Sequence, residues 1–256
     1  MKKYSFAEII ENPFILDEIV SQDIHTSDNM NMSTRERYFE VGRSGISVIS
    51  KALLCSEVQY IDNVLDFACG FGRVCRYLRA AFPDADFTVS DIWKEAVDYT
   101  SKSFKANHHH ATSSFANTKF EHKFDLIWCG SLVTHIPEKS AIELLDTFAN
   151  HLEKDGLMVF TTHGRNMYQR RKSKSMTYNI SDDDFSQMEN AYTDGKYAFA
   201  TYEMKTVYGD DYGISMTPLG WIHNYLLDRD QLSLKAYIEK GWDNHQDVVA
   251  IAYSQI

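Results

Sequence analysis

A strand, a glycine turn and a helix follow one another directly between Asn63 and Leu78. The segment reads NVLDFACGFGRVCRYL, in which a short apolar run leads to Gly70 and Gly72. Such a turn points backbone N–H groups and a helix N-terminus at a ligand beyond the strand. Asp66 precedes the glycines, where its carboxylate would repel a pyrophosphate but can accept hydrogen bonds from an ammonium group or a hydroxyl. The turn therefore predicts an adenosyl amino acid rather than a dinucleotide.

A dinucleotide remains the alternative ligand for this turn. The G-x-G-x-x-G motif of dinucleotide-binding proteins uses its third glycine to bring helix and strand close together. The corresponding position here is Cys75, a larger residue that would hold the two elements farther apart. This position disfavours a nicotinamide- or flavin-dependent oxidoreductase, although the turn alone does not exclude one.

Further segments follow this turn in the order of a known family. The pattern D-x-A-x-G-x-G occupies residues 66–72, and a second strand ends in Asp91, 19 residues after the last glycine. Residues 123–137 read as a fourth strand with its loop, and residues 151–164 read as a fifth strand entered through a glycine turn. Over residues 60–165 the sequence resembles the class I methyltransferases that use S-adenosylmethionine.

The resemblance implies a fold, a cofactor and a set of cofactor-binding residues. The fold is α/β, with a doubly wound, mostly parallel seven-stranded sheet, one antiparallel strand, an N-terminal helical extension and an insertion after strand 5. The cofactor is S-adenosylmethionine, and Asp91 would accept hydrogen bonds from both ribose hydroxyls. Ser113 and Ser114 stand where related enzymes usually carry an acid near the adenine amino group. The residues implied to bind the cofactor are Asp66, Ala68, Cys69, Gly70, Gly72, Arg73, Asp91, Ile92, Ser113, Ser114, Cys129, Gly130 and Ser131.

Apolar periodicity over the same region predicts alternating strands and helices. Such alternation requires a parallel sheet with crossover helices on both faces. The predicted elements are strand 63–67, helix 72–82, strand 86–91, helix 93–105, strand 108–113, strand 124–129, helix 138–153 and strand 156–162. A helix over 218–227 and strands over 232–239 and 247–253 predict a final hairpin that completes the sheet.

The N-terminal region reads as short amphipathic helices, a polar linker and a longer helix. Ser33 and Glu36 have the spacing of a capping box, so this helix is predicted to begin at Ser33. In the family that the sequence resembles, such a helix lies across the cofactor mouth, which makes Tyr38 and Arg43 candidate contacts with the bound nucleotide or substrate. Packing of Tyr38 in the core is the alternative.

Residues 165–217 interrupt the alternation and are predicted to form a substrate cap. Five tyrosines of this segment could stack on a ring or a sugar face, namely Tyr192, Tyr197, Tyr202, Tyr208 and Tyr212. Packing within a hairpin is the alternative for each of them. A basic cluster over residues 165–174 is either a solvated helix or an anchor for an anionic substrate such as a phosphosugar. The predicted substrate-binding residues are Tyr38, Arg165, Tyr208 and Tyr212.

Composition fits one enzyme domain and argues against several partners. At 256 residues, 44% hydrophobic and 24% charged, the chain suits a single α/β domain. We expect the N-terminal helices over 1–58, the cofactor-binding core over 60–164, the substrate cap over 165–217 and the C-terminal helix and strands over 218–256. The formal charge of −10 disfavours nucleic acid as a partner. The absence of an 18-residue apolar run and of a signal peptide predicts a cytoplasmic protein without a membrane partner, and its oligomeric state stays open.

Cysteine and histidine patterns do not indicate a metal. The four cysteines form no C-x-x-C pair, which predicts reduced structural thiols. Three consecutive histidines, His108 to His110, fall on a predicted strand, where alternation points His109 away from the other two. We therefore expect no metal site.

Methyl transfer from a sulfonium needs positioning and, for a hydroxyl acceptor, a base. His135 and His163 are the candidate catalytic residues because they follow the fourth and fifth strands, at the sheet edge where the sulfonium should lie. The predicted function is methyl transfer to a small molecule or glycan, with oxygen slightly preferred over nitrogen. The run from Gly241 to Val248 resembles segments of bacterial methyltransferases of glycan assembly. A non-catalytic partner subunit with the same fold is the alternative.

Overall fold

Strands and helices alternate along the chain as the apolar periodicity predicts. The computed structural model describes residues 4–31, 34–202 and 211–254. Its helices are α1 (Phe6–Glu11), α2 (Arg35–Leu54), α3 (Cys75–Ala81), α4 (Lys94–Phe104), α5 (Glu138–Asn150), α6 (Arg165–Lys172), α7 (Asp182–Thr193) and α8 (Leu219–Leu227). Its strands are β1 (Asn63–Phe67), β2 (Asp86–Asp91), β3 (Asn107–His110), β4 (Phe124–Cys129), β5 (Leu152–Thr162), β6 (Ala198–Thr201), β7 (Gly213–Met216), β8 (Leu232–Trp242) and β9 (Gln246–Tyr253).

Seven of these strands form one sheet in the order β3-β2-β1-β4-β5-β9-β8. The first five strands pair in parallel, whereas β9 is antiparallel to both of its neighbours, β5 and β8. The predicted doubly wound sheet with one antiparallel strand is confirmed. The chain leaves β1 toward β2 on one side and returns to β4 on the other. This reversal opens a crevice at the carboxyl ends of β1 and β4, where open α/β sheets bind ligands.

The glycine turn is longer than the sequence suggests. Helix α3 begins at Cys75 rather than at residue 72 because Ala68, Gly70 and Gly72 have φ angles of 61°, 50° and 80°. A right-handed helix cannot contain such angles. Strand β3 also stops earlier than predicted, at His110, because only four of its residues pair with β2.

The long N-terminal helix packs closely on the helix that follows the glycine turn. Its N-cap is Thr34, whose hydroxyl accepts a hydrogen bond from the Arg37 N–H, so the helix begins one residue later than the predicted start at Ser33. Ser33 itself lies outside the described residues. A Cβ atom on Gly42 would overlap the carbonyl oxygen of Arg73, which explains the glycine in the middle of α2.

The predicted insertion after strand 5 contains α6, α7 and the antiparallel pair of β6 and β7. A small separate core holds these elements together, formed by Met167, Ile180, Phe185, Met188, Ala198, Ile214 and Met216. We call the described part of residues 165–217 the cap. Among the described residues, no helix is long and apolar enough to cross a membrane.

Candidate active site

A cavity of about 260 Å³ lies at the carboxyl ends of β1, β2 and β4. Most residues predicted to bind the cofactor line it, namely Asp66, Ala68, Cys69, Gly70, Arg73, Asp91, Ile92, Ser113, Gly130 and Ser131. Gly72 and Ser114 belong to the same loops and Cys129 ends β4, but these three residues do not line the cavity. The topology thus collects three distant loops around one space, which we call the donor cavity.

Asp66 is buried, and one of its carboxyl oxygens makes no hydrogen bond within the described residues. The residue is 1% exposed, and its Oδ2 atom has no hydrogen-bond partner among the described residues. Burial, followed by the charge of Asp91, raises the pKa of the Asp66 carboxyl from 3.8 to about 8. A bound cation would compensate this charge, because an ammonium group donates to a carboxylate and favours its ionised form.

The glycine turn leaves space where a ligand can approach the backbone. A Cβ atom on Gly70 would have no heavy atom within 4 Å, so the space beside its Cα atom is open. Gly72 has another task, because a Cβ atom there would overlap the ring of Phe104 on α4. Gly70 therefore gives access to the cavity, and Gly72 allows close packing behind it.

Asp91 joins the first two loops of the cavity. Its Oδ2 accepts from the Gly70 N–H at 2.9 Å, and its Oδ1 accepts from the Trp93 N–H at 3.0 Å. A carboxylate oxygen can accept more than one hydrogen bond, so both oxygens keep capacity for two adjacent hydroxyls. Burial raises the pKa of the Asp91 carboxyl, and backbone hydrogen bonds from Trp93, Gly70 and Ile92 partly offset this rise.

Aromatic side chains from several distant segments of the chain line the cavity. Trp128 at the end of β4 packs edge-on against Trp242 of β8, with ring centroids 5.4 Å apart. Phe71 of the glycine turn stacks on His25, at 4.7 Å, and lies edge-on to Trp93. The other aromatic residues that line the cavity are Phe67, Phe115 and Tyr212. Tyr212 was predicted as a substrate contact, and Phe67, Phe71 and Trp93 lie next to the glycine turn or Asp91, whereas Phe115, Trp128 and Trp242 were not predicted as site residues.

The loop after β4 is held by hydrogen bonds that reach the last strand. Ser131 has a φ of 62°, and its N–H donates to Thr161 Oγ1 at 2.7 Å. The Thr161 hydroxyl donates to Gln246 Oε1, and Gln246 Nε2 donates back to Ser131 Oγ at 2.9 Å. This closed set fixes an unusual backbone conformation on the cavity wall. Gln246 was not identified from the sequence because its partners are far away along the chain.

His135 reaches the donor cavity from the turn after β4. Its Nδ1 lies 2.8 Å from the carbonyl oxygen of Gly213, which can only accept, so this nitrogen carries the proton. The Tyr202 hydroxyl lies 3.0 Å from the same nitrogen, and the Tyr212 ring stacks on the imidazole at 4.9 Å. Burial lowers the pKa of His135, so the imidazole is neutral near pH 7 and its Nε2 is an acceptor.

His163, the other predicted catalytic residue, does not line the cavity. It is 3% exposed, and its ring centroid lies 6.2 Å from that of His135. Burial and the neighbouring histidines, His135 and His245, hold its pKa well below the ordinary range. Its Nδ1 atom has no hydrogen-bond partner among the described residues. His163 thus lies one ring behind the cavity wall.

Two predicted substrate contacts on α2 lie outside the cavity. The Tyr38 ring is buried, and its hydroxyl donates to Asp28 Oδ2 at 2.7 Å and accepts from Arg76 at 3.2 Å. Asp28 itself lines the cavity, so Tyr38 supports a wall residue from behind. Arg43 forms a two-point ion pair with Asp17, away from the cavity. These positions agree with the packing alternative for Tyr38.

Of the two described cap residues that were predicted to bind substrate, one lines the donor cavity and the other lies on the surface. Tyr212 lines the donor cavity, whereas Arg165 forms a surface ion pair with Glu239 at 2.6 Å. Tyr208 lies outside the described residues. Tyr197 is buried and its hydroxyl donates to two carbonyl oxygens of the turn before α5, which is a packing role.

Thiols and histidines elsewhere form no metal site. Among the described residues, no group of three or more His, Cys, Asp or Glu side chains could hold a metal ion. Cys69, Cys75 and Cys129 are buried free thiols, and burial raises the pKa of each. His109 contacts the Ser90 hydroxyl at 2.9 Å, so its ring reaches across to β2.

The donor set of the cavity fits an adenosyl amino acid. Asp66 offers an unpartnered acidic oxygen, Asp91 offers acceptors for adjacent hydroxyls, and Gly70 leaves its backbone approachable. The aromatic walls can cover an apolar or ring-shaped ligand. A pyrophosphate would meet two carboxylates at this place and is disfavoured.

Comparison with known proteins agrees with this geometry. Residues 64–156 match a family model described as "Methyltransferase domain". No curated protein matches the chain. The matched segment begins in β1, contains both acids and the glycine turn, and ends within β5.

Solved structures share the fold across nearly the whole chain. An S-adenosylmethionine-dependent methyltransferase from Clostridium acetobutylicum superposes with a TM-score of 0.55 and 16% identity, covering 96% of this chain and 98% of the other. A magnesium protoporphyrin IX methyltransferase from Synechocystis, solved with bound SAH, gives a TM-score of 0.55 and 13% identity, with 96% of each chain covered. The plantazolicin methyltransferase, also with SAH, gives 0.57 and 14%, with 98% and 95% covered. At these identities the likeness concerns the fold.

The strand order and the donor cavity define a protein of the class I methyltransferase fold. The family match over residues 64–156 agrees with this fold, and the residues of the donor cavity suit S-adenosylmethionine as the methyl donor. The two carboxylates of the cavity disfavour the oxidoreductase, the first alternative from the sequence, whereas a non-catalytic subunit would share both the family match and the strand order.

Proposed function

We propose that the enzyme transfers the methyl group of S-adenosylmethionine to a hydroxyl of a small-molecule or glycan acceptor. The observation that carries the proposal is the neutral imidazole of His135 on the wall of the donor cavity. A hydroxyl must lose its proton as it attacks a methyl group, and a positioned base speeds this step. An amine acceptor would need only to arrive uncharged.

The donor supplies an electrophilic methyl group on a sulfonium, and the cavity residues position it. In the proposal Asp66 accepts hydrogen bonds from the donor's ammonium group, and Asp91 accepts from its ribose hydroxyls. Both roles follow from the free acceptor capacity of these two carboxylates. Ser113 lines the same cavity, and in the proposal its hydroxyl contacts the adenine where related enzymes usually carry an acid.

His135 acts as the base that takes the proton of the acceptor hydroxyl. The Gly213 carbonyl fixes the proton on Nδ1 and leaves the Nε2 lone pair as the basic site. The stacked Tyr212 ring restricts rotation of the imidazole. Because burial keeps the imidazole neutral, the base is ready at neutral pH without a carboxylate partner.

The cap is the part of the chain that selects the acceptor. Asp211 and Tyr212 line the cavity from the cap side, whereas the donor residues come from the sheet edge. The structural neighbours are named for acceptors as different as a protoporphyrin and plantazolicin. A shared fold thus accommodates different acceptors, which supports a selecting role for segments outside the sheet.

A screen with deuterated methyl donor tests the proposal. The purified chain is incubated with pools of nucleotide sugars, phosphosugars, small phenols and small amines, and products are read by mass spectrometry. We expect label on a hydroxyl compound. Label on amines alone would contradict the preference for oxygen.

The His135→Asn variant tests the base. We expect turnover to fall at least about a hundredfold, because general base catalysis contributes about 10²–10⁴-fold, with unchanged affinity for S-adenosylhomocysteine. His122→Asn, an exposed histidine, is the matched control. Turnover of the parent enzyme should decline on the acid side only below the ordinary histidine pKa of 6.5, because burial lowers the pKa of His135. Full activity of His135→Asn would refute its role.

A further inference from the structure

A second polar cluster lies beside the donor cavity, at the boundary between the cap and the end of the sheet. We call it the Arg170 cluster, and its members are Arg170, Tyr178, His163 and His245. Arg170 Nη1 lies 3.3 Å from His245 Nδ1, and the rings of Tyr178 and His245 stack at 5.8 Å. The His163 ring lies 5.4 Å from His245 and 5.7 Å from Tyr178.

Arg170 differs from the other basic residues of its segment in its charge balance. Those residues pair with carboxylates: Arg165 with Glu239, Arg171 and Lys174 with Asp182, and Lys172 with Glu189. No carboxylate of the described residues pairs with Arg170, which is half-buried and faces a histidine. A half-buried guanidinium without a counter-charge is costly, and a bound anion would remove that cost.

A second observation points to a ligand at the same place. The Nδ1 atom of His163 is buried, has no hydrogen-bond partner among the described residues, and belongs to a ring that faces Tyr178 and His245. Buried polar atoms in native proteins normally have a partner, either in the protein or in what it binds. A ligand among these four side chains would give one to His163.

We propose that the Arg170 cluster binds a phosphoryl group of the acceptor, an inference that rests on the proposed transfer to a hydroxyl. The guanidinium, phenol and imidazole groups come from four separate segments of the chain, and a guanidinium binds phosphate oxygens through two parallel hydrogen bonds. The cluster lies next to His135, because the ring centroid of its member His163 is 6.2 Å from that of His135. The acceptor is therefore a phosphorylated sugar or similar compound, with its phosphate in the cluster and its hydroxyl at His135.

Binding of inorganic phosphate to the chain saturated with S-adenosylhomocysteine tests the site without any turnover. Calorimetry should give saturable binding that Arg170→Gln weakens at least tenfold. Lys172→Gln is the control, because it removes one positive charge from the same helix but Lys172 is already paired with Glu189. This variant should bind phosphate within twofold of the parent. Equal losses in both variants, or unchanged binding in Arg170→Gln, would overturn the proposal. The melting-temperature rise on adding S-adenosylhomocysteine checks that each variant is folded.

Turnover separates failure of this site from failure of the proposed reaction. With a phosphorylated acceptor, Arg170→Gln should raise KM at least tenfold and leave kcat within threefold, and Arg170→Lys should recover part of the loss. Transfer to a neutral or carboxylated sugar that is insensitive to Arg170→Gln would overturn the phosphate site and leave the methyl transfer intact. Phosphate binding without hydroxyl transfer to any compound would support the site and refute the proposed function.

Discussion

Replacing Asp66 with asparagine should stabilise the ligand-free enzyme and remove much of the pH dependence of its stability. The side chain is buried with an unpartnered oxygen, and burial raises the pKa of its carboxyl from 3.8 to about 8. Between these values the native state keeps a proton that the unfolded chain has lost. Stability therefore falls as pH rises through this window, by about 1.4 kcal/mol per pH unit, and levels off above about pH 8.

Urea unfolding between pH 5 and pH 8 measures this effect. Over these three units, the difference in unfolding free energy between the parent and Asp66→Asn should change by about 4 kcal/mol, with the variant gaining toward high pH. Asp183→Asn, at an exposed position on α7, is the control and should show no such trend. A difference that stays constant within about 1 kcal/mol would refute the burial of an uncompensated charge at Asp66.

The same carboxyl should make donor binding release a proton. An ammonium group favours the ionised carboxylate, so binding of S-adenosylhomocysteine at pH 7 should expel close to one proton from Asp66. Calorimetry in buffers of different ionisation enthalpy measures this number. Asp66→Asn should abolish the release and weaken binding about ten- to a hundredfold, the range expected for a charged hydrogen bond. Unchanged affinity without proton release would exclude contact between Asp66 and the ammonium group.

Three other substitutions test one residue of the cavity wall and two residues that support it. Asp91→Asn should weaken the binding of S-adenosylhomocysteine, measured by calorimetry, about ten- to a hundredfold, since a hydrogen bond to a charged group contributes about 1.5–3 kcal/mol. Equal affinity of parent and variant would rule out the ribose contact. Gly72→Ala should lower the unfolding free energy by about 2–3 kcal/mol, because φ is 80° and the added Cβ overlaps Phe104. An unchanged midpoint of urea unfolding would contradict this overlap. Gln246→Ala should cost about 1–3 kcal/mol and weaken donor binding by loosening Ser131; a loss of stability with full donor affinity would limit Gln246 to packing.

The sheet and the glycine turn could be predicted because their signals are local. Strands such as Asn63–Phe67 and Asp86–Asp91 end where the apolar run meets a turn or an acid, so their bounds agree with the structure. The end of β3 could not be placed, because an edge strand ends where its neighbour stops pairing. The start of α2 differs by one residue, since Ser33 and Thr34 both carry a capping hydroxyl and only the folded chain selects between them.

The donor acids were predictable, whereas the remainder of the cavity was not. Asp66 and Asp91 follow strands at a spacing that the fold imposes. Trp128 and Trp242 meet only because β8 and α2 close over the end of β4, and no local pattern reports that contact. Tyr38 lies on the predicted helix, but its side chain faces Arg76 rather than the cavity. The sequence predicts the helix without its rotation about its own axis, so this orientation could not be predicted.

Trp242, at the end of β8, lines a cavity whose acids lie more than a hundred residues earlier, and Gln246, at the start of β9, holds Ser131 on its wall. During synthesis the glycine turn leaves the ribosome long before these two side chains exist. A nascent chain that ends within the cap therefore has the acidic half of the donor site without its closing wall. We expect donor binding to begin only when the hairpin of β8 and β9 has paired with β5.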